Sequence, residues 1–163
     1  MQVMGPNGQV EPASSPITLL HLLSHTAGIG YGPLLGTWSG CRMEDEYAAL
    51  AARVGLGRTN PGHRNAIRTL LRWCDELAKI PLEFHPGSAW LYGHSHDVLG
   101  CIIEIASKQR LDVFLEKRIF QRLGMKDTAF YVRPDEAHRL AGLYGRQGRR
   151  LQRLDSGSTE GRA

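Results

Sequence analysis

Histidines are the residues in this sequence whose spacing first suggests chemistry. His21 and His25 lie four residues apart, and one residue separates His94 from His96. Two histidines at a helical spacing can bind zinc when a glutamate follows the first histidine and a third ligand is at hand. Here Leu22 follows the first histidine, and the spacing positions no third ligand. We therefore favour roles in helix packing or capping, and we expect neither a metal nor another cofactor.

The tripeptide Ser95-His96-Asp97 contains the three side-chain types of a serine hydrolase triad. Neighbouring side chains on a helix point about 100° apart, so these three cannot form a relay. The sequence also has no Gly-x-Ser-x-Gly turn and no glycine-rich phosphate loop that leads from a strand into a helix. The tripeptide is therefore not a triad.

Three segments carry a resemblance to a known family. They are PITLLHLLSHTAGIGYG at 16–32, FHPGSAWLY at 84–92 followed by DVLGCIIE at 97–104, and IFQRLGMKDTAF at 119–130. They resemble, in family order, the PIT…LLTHTSGL, F-x-PG-x-x-W-x-Y-S…DVLG-x-IIE and I-x-x-PLGM-x-DT-x-F motifs of the serine beta-lactamase-like family. That family includes class C beta-lactamases, D-alanyl-D-alanine carboxypeptidases and family VIII esterases.

The resemblance implies an α+β beta-lactamase/transpeptidase-like fold, of which this chain would hold mainly the helical subdomain and a few β-strands. It also implies acyl transfer, in which a serine attacks an ester or amide carbonyl and the acyl-enzyme is hydrolysed. Tyr92 matches the family's tyrosine, the proton shuttle. Gly93 replaces the usual Ser or Ala, and His94, the second candidate catalytic residue, stands where beta-lactamases carry Asn. This departure favours an esterase-like relative over a beta-lactamase.

The family's nucleophile motif, Ser-x-x-Lys, does not occur here, because the residues three positions before the four lysines are Glu76, Ile105, Phe114 and Leu123. Family order places that motif before residue 16, and a Lys-Thr-Gly-like or Trp/His-x-Gly strand after residue 163. We therefore expect a fragment of a serine hydrolase, produced by a misplaced start or a degraded gene. A tyrosine has a pKa of about 10, so at pH 7 only roughly one molecule in a thousand carries it as the phenolate. With neither the nucleophile motif nor an activated tyrosine, the fragment should be inactive.

Hydrophobic periodicity predicts a helical block followed by short strands. Residues 1–16 indicate a linker or strand remnant, 17–154 a partial domain with its helical block at 17–124, and 155–163 a flexible tail. The expected helices are a largely buried one capped by Thr18 and four more at 43–54, 60–79, 95–109 and 112–124. A strand is expected at 128–132, and a hairpin should pair 140–144 with 149–154.

Composition excludes several classes of protein. With 42% apolar and 22% charged residues the chain is neither disordered nor low in complexity. It has no apolar run long enough for a membrane span and no export leader, so the sequence as it stands predicts a cytoplasmic location and no membrane partner. Cys41, Cys74 and Cys101 lack metal-ligand spacing. Cys74 and Cys101 fall on the apolar stripes of proposed helices, so for these two residues we favour small buried hydrophobes over a catalytic thiol.

The net charge of +4 comes from residues 137–163, which contain six arginines and two acidic residues. It suggests an alternative, a non-enzymatic binding module that contacts an anionic partner such as nucleic acid through Arg146, Arg149, Arg150 and Arg153. No aromatic platform accompanies these arginines, so a solvated face is favoured over nucleic acid. A small-molecule ester or amide is the expected substrate. Self-association is expected through apolar surface that the missing parts would leave exposed.

Overall fold

The computed structural model describes residues 1–31, 41–54 and 69–153. The chain divides into two compact units, residues 1–111 and 112–163. Helices dominate and strands are few among the described residues, which confirms the expected architecture. In the part of the chain that is described, every helix is too short or too polar to cross a bilayer. The predicted tail at 155–163 lies outside the described residues.

The first unit opens with a β-hairpin where the sequence indicated a linker or strand remnant. Strand β1 (Gln2–Met4) pairs antiparallel with β2 (Val10–Pro12), with Val3 opposite Glu11. Leu82 lies against the other edge of β1. The Met4 N–H donates to the Leu82 carbonyl at 2.8 Å, and the Leu82 N–H donates to the Gln2 carbonyl at 2.8 Å. The hairpin is thereby joined to the segment that leads toward Tyr92.

Four helices complete this unit: α1 (Leu19–Leu23), α2 (Glu44–Val54), α3 (Leu70–Leu77) and α4 (Ser95–Ser107). Thr18 caps α1, because its hydroxyl accepts the His21 N–H at 3.2 Å and its own N–H donates to the His21 ring at 3.3 Å. His21 therefore serves in capping. Helix α3 begins after Thr69, and the predicted start of this helix at residue 60 lies outside the described residues.

Two apolar clusters form the core of the first unit. One combines α2 and α3 through Cys41, Met43, Tyr47, Leu50, Trp73 and Leu77. The other joins β1, α1 and the residues after α1 through Val3, Leu22, Ala27, Ile29 and Leu82. Val98 of α4 packs against both clusters. Helix α4 therefore links the two clusters, and its first turn lies next to the candidate site.

Helix α1 is mostly exposed, so the expectation that it is largely buried is wrong. Leu22 is 2% exposed, whereas Leu19, Leu20 and Leu23 are more than half exposed. The helix has only five residues, so it can turn little more than one side chain toward the core. Self-association through the exposed leucines stays a prediction, which sedimentation velocity at increasing protein concentration tests.

One helix was expected at 112–124, but the chain forms three consecutive helical segments, the first of which begins at Leu111, the last residue of the first unit. They are α5 (Leu111–Leu115), a π-helical turn (Glu116–Phe120) and α6 (Gln121–Leu123), which ends at Gly124 in the left-handed region. Ile119 and Leu123 are apolar, but they are 40% and 71% exposed. The wider π turn, in which the Gln121 N–H bonds to the Glu116 carbonyl, rotates later residues away from a regular helical stripe.

The strand predicted at 128–132 is absent, and the C-terminal hairpin has a different register. Within the described part of the chain no strand offers residues 128–132 an edge, and a 3₁₀ helix follows at Pro134–Arg139. Strand β3 (Tyr144–Gln147) pairs with β4 (Arg150–Arg153). Gly148, with φ +61°, begins a two-residue turn of the kind that short hairpins prefer. That turn replaces the expected four-residue loop.

Candidate active site

Tyr92 lies on an extended segment held beside the residues that follow α1. The Leu91 N–H donates to the His25 carbonyl at 3.0 Å, and the His94 N–H donates to the Gly30 carbonyl at 3.2 Å. These two bonds bracket Tyr92 and fix its backbone against 25–30. Two segments that the resemblance singled out separately are thus adjacent in the fold.

Gly93 is the point of closest approach between these two segments. A Cβ atom built at this position would overlap the carbonyl oxygens of Ile29 and Gly30. The glycine that departs from the family's Ser or Ala is therefore required by the backbone packing in this chain. The departure is structural, because it lets 91–94 lie flat against 29–30.

The Tyr92 ring rests on two other rings and remains accessible. Its centroid lies 4.7 Å from the His25 ring and 6.1 Å from the Tyr31 ring, which is stacked at 21°. Tyr92 is 55% exposed, and Trp90, two residues earlier, is 65% exposed. The arrangement supports the ring from the protein side and leaves part of Tyr92 open to a ligand.

His94 is held among other side chains at the start of α4. Its ring stacks on Tyr31 at 4.3 Å and meets Trp73 edge-on at 5.0 Å. Its Nδ1 lies 2.9 Å from the Asp97 carboxylate, and 14% of its side chain is exposed. Tyr31 lies between the rings of His94 and Tyr92, so the two residues selected from the sequence are connected through it. Tyr31 stands in the family-like 16–32 segment, but neither its residue type nor its spacing assigned it to a site.

His25 is the second residue that the sequence did not assign to this site. It is only 9% exposed, and its φ of +55° is left-handed, which costs a non-glycine residue about 1–2 kcal/mol. Its ring lies 4.5 Å from the His96 ring. Burial, and then the nearby His96, lower the pKa of His25. Its place in the family-like 16–32 segment was a signal, whereas its spacing from His21 led only to the interpretation that it packs against or caps a helix.

The side chains of Ser95, His96 and Asp97 have separate environments. Ser95 is completely buried, His96 faces His25, and Asp97 contacts His94. The three side chains diverge as the helical geometry predicts, which agrees with the conclusion that they form no triad. Among the described residues no group of three or more His, Cys, Asp or Glu side chains could hold a metal.

Glu83 anchors the residues before α2. Only 3% of Glu83 is exposed. Its carboxylate accepts hydrogen bonds from the Cys41 thiol at 2.7 Å and from the Met43 N–H at 2.6 Å. It also accepts the Arg42 N–H at 2.9 Å. Burial, together with the bond to Glu83, raises the pKa of Cys41 to about 12. Cys41 is therefore a protonated structural thiol.

The arginines of the C-terminal hairpin are divided between its two faces. Cross-strand partners share a face and successive residues alternate. Arg153 lies opposite Tyr144, on the same face as Arg146, whereas Arg150 is on the other face. Arg146 also donates to the Gly148 carbonyl at 2.8 Å. In this described hairpin the strand arginines do not form one basic surface, so the geometry does not favour the nucleic-acid alternative.

Solved structures share this arrangement of elements. EstCE1, a hydrolase with promiscuous acyltransferase activity, superimposes with a TM-score of 0.64 at 26% identity, covering 94% of this chain and 35% of that chain. The fold is thus of the beta-lactamase-like esterase and acyltransferase class.

The family follows from the sequence comparisons. The family model for Beta-lactamase matches residues 8–162, so the chain belongs to the beta-lactamase family. Lovastatin esterase of Penicillium rubens is 33% identical over 138 residues, which are 82% of this chain and 29% of that protein. Esterase EstB of Burkholderia gladioli is 35% identical over 114 residues, 70% of this chain and 26% of that protein. The chain spans less than a third of the length of these curated relatives.

Proposed function

We propose that this chain supplies one wall of a serine hydrolase site that cleaves small-molecule esters by way of an acyl-enzyme. The observation that carries the proposal is Tyr92, which matches the family's tyrosine and presents a half-exposed phenol on a ring-supported surface. In this role the phenol passes a proton between the serine nucleophile and the leaving group. No residue of this chain takes the part of the nucleophile, because Ser-x-x-Lys is absent from the 163 residues.

An ester is favoured over a beta-lactam amide because of His94. Beta-lactamases carry an Asn at this position, and an amide side chain could bind a substrate polar group through both its N–H and its C=O. In this chain the His94 ring instead packs against Tyr31 and Trp73, and its Nδ1 atom lies within hydrogen-bond distance of the Asp97 carboxylate. The relatives named as esterases support the same substrate class.

The chain by itself is proposed to be catalytically inert. Purified chain is incubated with p-nitrophenyl butyrate and, separately, with nitrocefin. Neither should be hydrolysed faster than in buffer. Turnover that disappears in Tyr92→Phe would overturn the claim of inertness, since that result needs a nucleophile within these residues.

The hydrolase itself is tested on any longer polypeptide encoded in frame with these residues and containing Ser-x-x-Lys. Such a polypeptide should hydrolyse p-nitrophenyl butyrate in preference to nitrocefin. Tyr92→Phe should lower kcat by roughly 10²–10⁴-fold with little change in KM, as expected for loss of a proton-transfer group. Full activity in Tyr92→Phe would refute the assigned role, and preferential nitrocefin hydrolysis would refute the ester assignment.

A further inference from the structure

His25 combines three features. It is a buried histidine, its backbone is left-handed at φ +55°, and its ring lies 4.7 Å from the accessible Tyr92 ring. Strained conformations persist only when surrounding contacts enforce them, and they concentrate at functional sites. We therefore expect His25 to hold a neighbouring group in place.

The backbone around His25 is firmly tied. Its carbonyl accepts the Leu91 N–H at 3.0 Å, and the next residue, Thr26, donates to the His21 carbonyl and accepts from Gly87, each at 2.8 Å. These bonds orient the left-handed residue so that its side chain faces Tyr92. A ring fixed in this way can restrict the rotation of a neighbouring ring that solvent would otherwise leave free.

We propose that His25 is a positioning residue for Tyr92, whose ring it supports from the buried side so that the phenol keeps one direction. The inference rests on the proposed function, in which Tyr92 moves a proton. Tyr31 stacks on Tyr92 from 6.1 Å, a looser contact than the 4.7 Å to His25. His25 is accordingly the tighter of these two supports.

The support depends on the charge of the imidazole. The titratable groups that face His25 are Tyr92 from the extended segment and His96 from α4, whose ring is 4.5 Å away. Burial and His96 both disfavour the charged form and lower the pKa of His25 below 6.5, so the ring is neutral at pH 7. Protonation at lower pH places a charge among rings and beside His96. We expect it to loosen the contact with Tyr92.

The experiment follows the Tyr92 ring directly by NMR in the full 163-residue chain, with ring-labelled tyrosine and assignment from Tyr92→Phe. In His25→Asn, the Tyr92 ring signals should move toward exposed-tyrosine positions, while those of buried Tyr47 stay. Asparagine is chosen because it tolerates a left-handed backbone. His138→Asn, an exposed histidine in the second unit, is the matched control and should leave Tyr92 unchanged.

A pH titration gives a second readout that does not depend on the folding of His25→Asn. In the unmodified chain, the His25 ring should titrate below pH 6.5, and the Tyr92 signals should shift with the same midpoint. His96→Asn removes one cause of the lowered pKa and should raise both midpoints together. The proposal would be overturned if the Tyr92 signals did not shift at the His25 midpoint. It would also be overturned if they were unchanged in folded His25→Asn. Neither readout requires turnover, so failure of the ester assays would leave this result intact.

Discussion

The Nδ1 atom of His94 lies 2.9 Å from the Oδ2 atom of Asp97, one turn later in α4. The same imidazole stacks on Tyr31 and meets Trp73 edge-on. His94 thus ties the first turn of α4 to the core cluster of α3 and, through Tyr31, to the ring of Tyr92. The residue at the position that carries Asn in beta-lactamases thus contacts Tyr31, Trp73 and Asp97 in this chain.

Replacing His94 should therefore destabilise the first unit. His94→Ala removes the ring contacts with Tyr31, Tyr47 and Trp73 and the bond to Asp97. Together these losses should cost about 2 kcal/mol of unfolding free energy. Urea denaturation followed by far-UV circular dichroism measures the change. His138→Ala is the control, and a loss below about 0.5 kcal/mol in His94→Ala would contradict the packing role.

Gly93→Ala should be poorly tolerated for a steric reason. The added methyl would overlap the Ile29 and Gly30 carbonyl oxygens, and both belong to backbone that cannot swing aside. We expect a loss of about 2–3 kcal/mol, as for overpacked cores. Gly124→Ala is a useful comparison, because its Cβ would meet no atom within 4 Å and it bears only the cost of φ +65°. Equal losses in the two variants would argue against the clash.

Glu83→Gln should weaken the link between residues 41–43 and the segment before Tyr92. Three of the contacts to the Glu83 carboxylate come from Cys41, Arg42 and Met43, and an amide can accept at only one of its two terminal atoms. We expect a loss of about 2–4 kcal/mol in urea denaturation. Glu136→Gln, at a partly exposed ion pair with Arg133, should cost less than about 1 kcal/mol.

The thiols of buried Cys41 and half-buried Cys74 should resist alkylation while the chain is folded. Burial raises the pKa of Cys41 to about 12, and the hydrogen bond to Glu83 adds to this effect. Burial likewise raises the pKa of Cys74 to about 12, with a further contribution from its hydrogen bond to the free Cys101 thiol. At pH 8 roughly one thiol in ten thousand is then thiolate, which slows reaction on the order of 10³-fold relative to an ordinary cysteine. Iodoacetamide labelling read by mass spectrometry checks this. All three cysteines should react once guanidinium unfolds the chain, and rapid labelling of folded Cys41 would be inconsistent with its environment.

Acid should weaken the second unit through Asp127. The Arg139 guanidinium bonds both carboxylate oxygens, at 2.7 and 2.8 Å, and lowers the pKa of Asp127. A carboxyl with a lower pKa in the folded state contributes stability above its unfolded pKa of about 4, and this is lost as the pH falls through the folded value. An NMR titration of the Asp127 carboxyl carbon should show a midpoint lower than that of an ordinary aspartate, and this midpoint should rise in Arg139→Gln. An unchanged midpoint would exclude the pair as its cause.

Local sequence was sufficient for much of the secondary structure and for the family. The Thr18 cap, the acidic first turn of α2 and the apolar spacing of α4 involve neighbours a few residues apart, so their helices follow from short-range chemistry. Tyr92 and His94 were selected because they stand in a motif. The strand at 128–132 was wrongly predicted, because strand propensity cannot supply the neighbouring strand on which pairing depends.

The surroundings of Tyr92 were decided by tertiary structure. His25 and Tyr31 are more than sixty residues from Tyr92 in the chain, and no periodicity links them. They meet because the backbone of 25–30 bonds to Leu91 and His94 and because Gly93 leaves room for the two segments to touch. The sequence by itself determined which side chain could carry the chemistry. Long-range packing decided which rings hold that side chain in place.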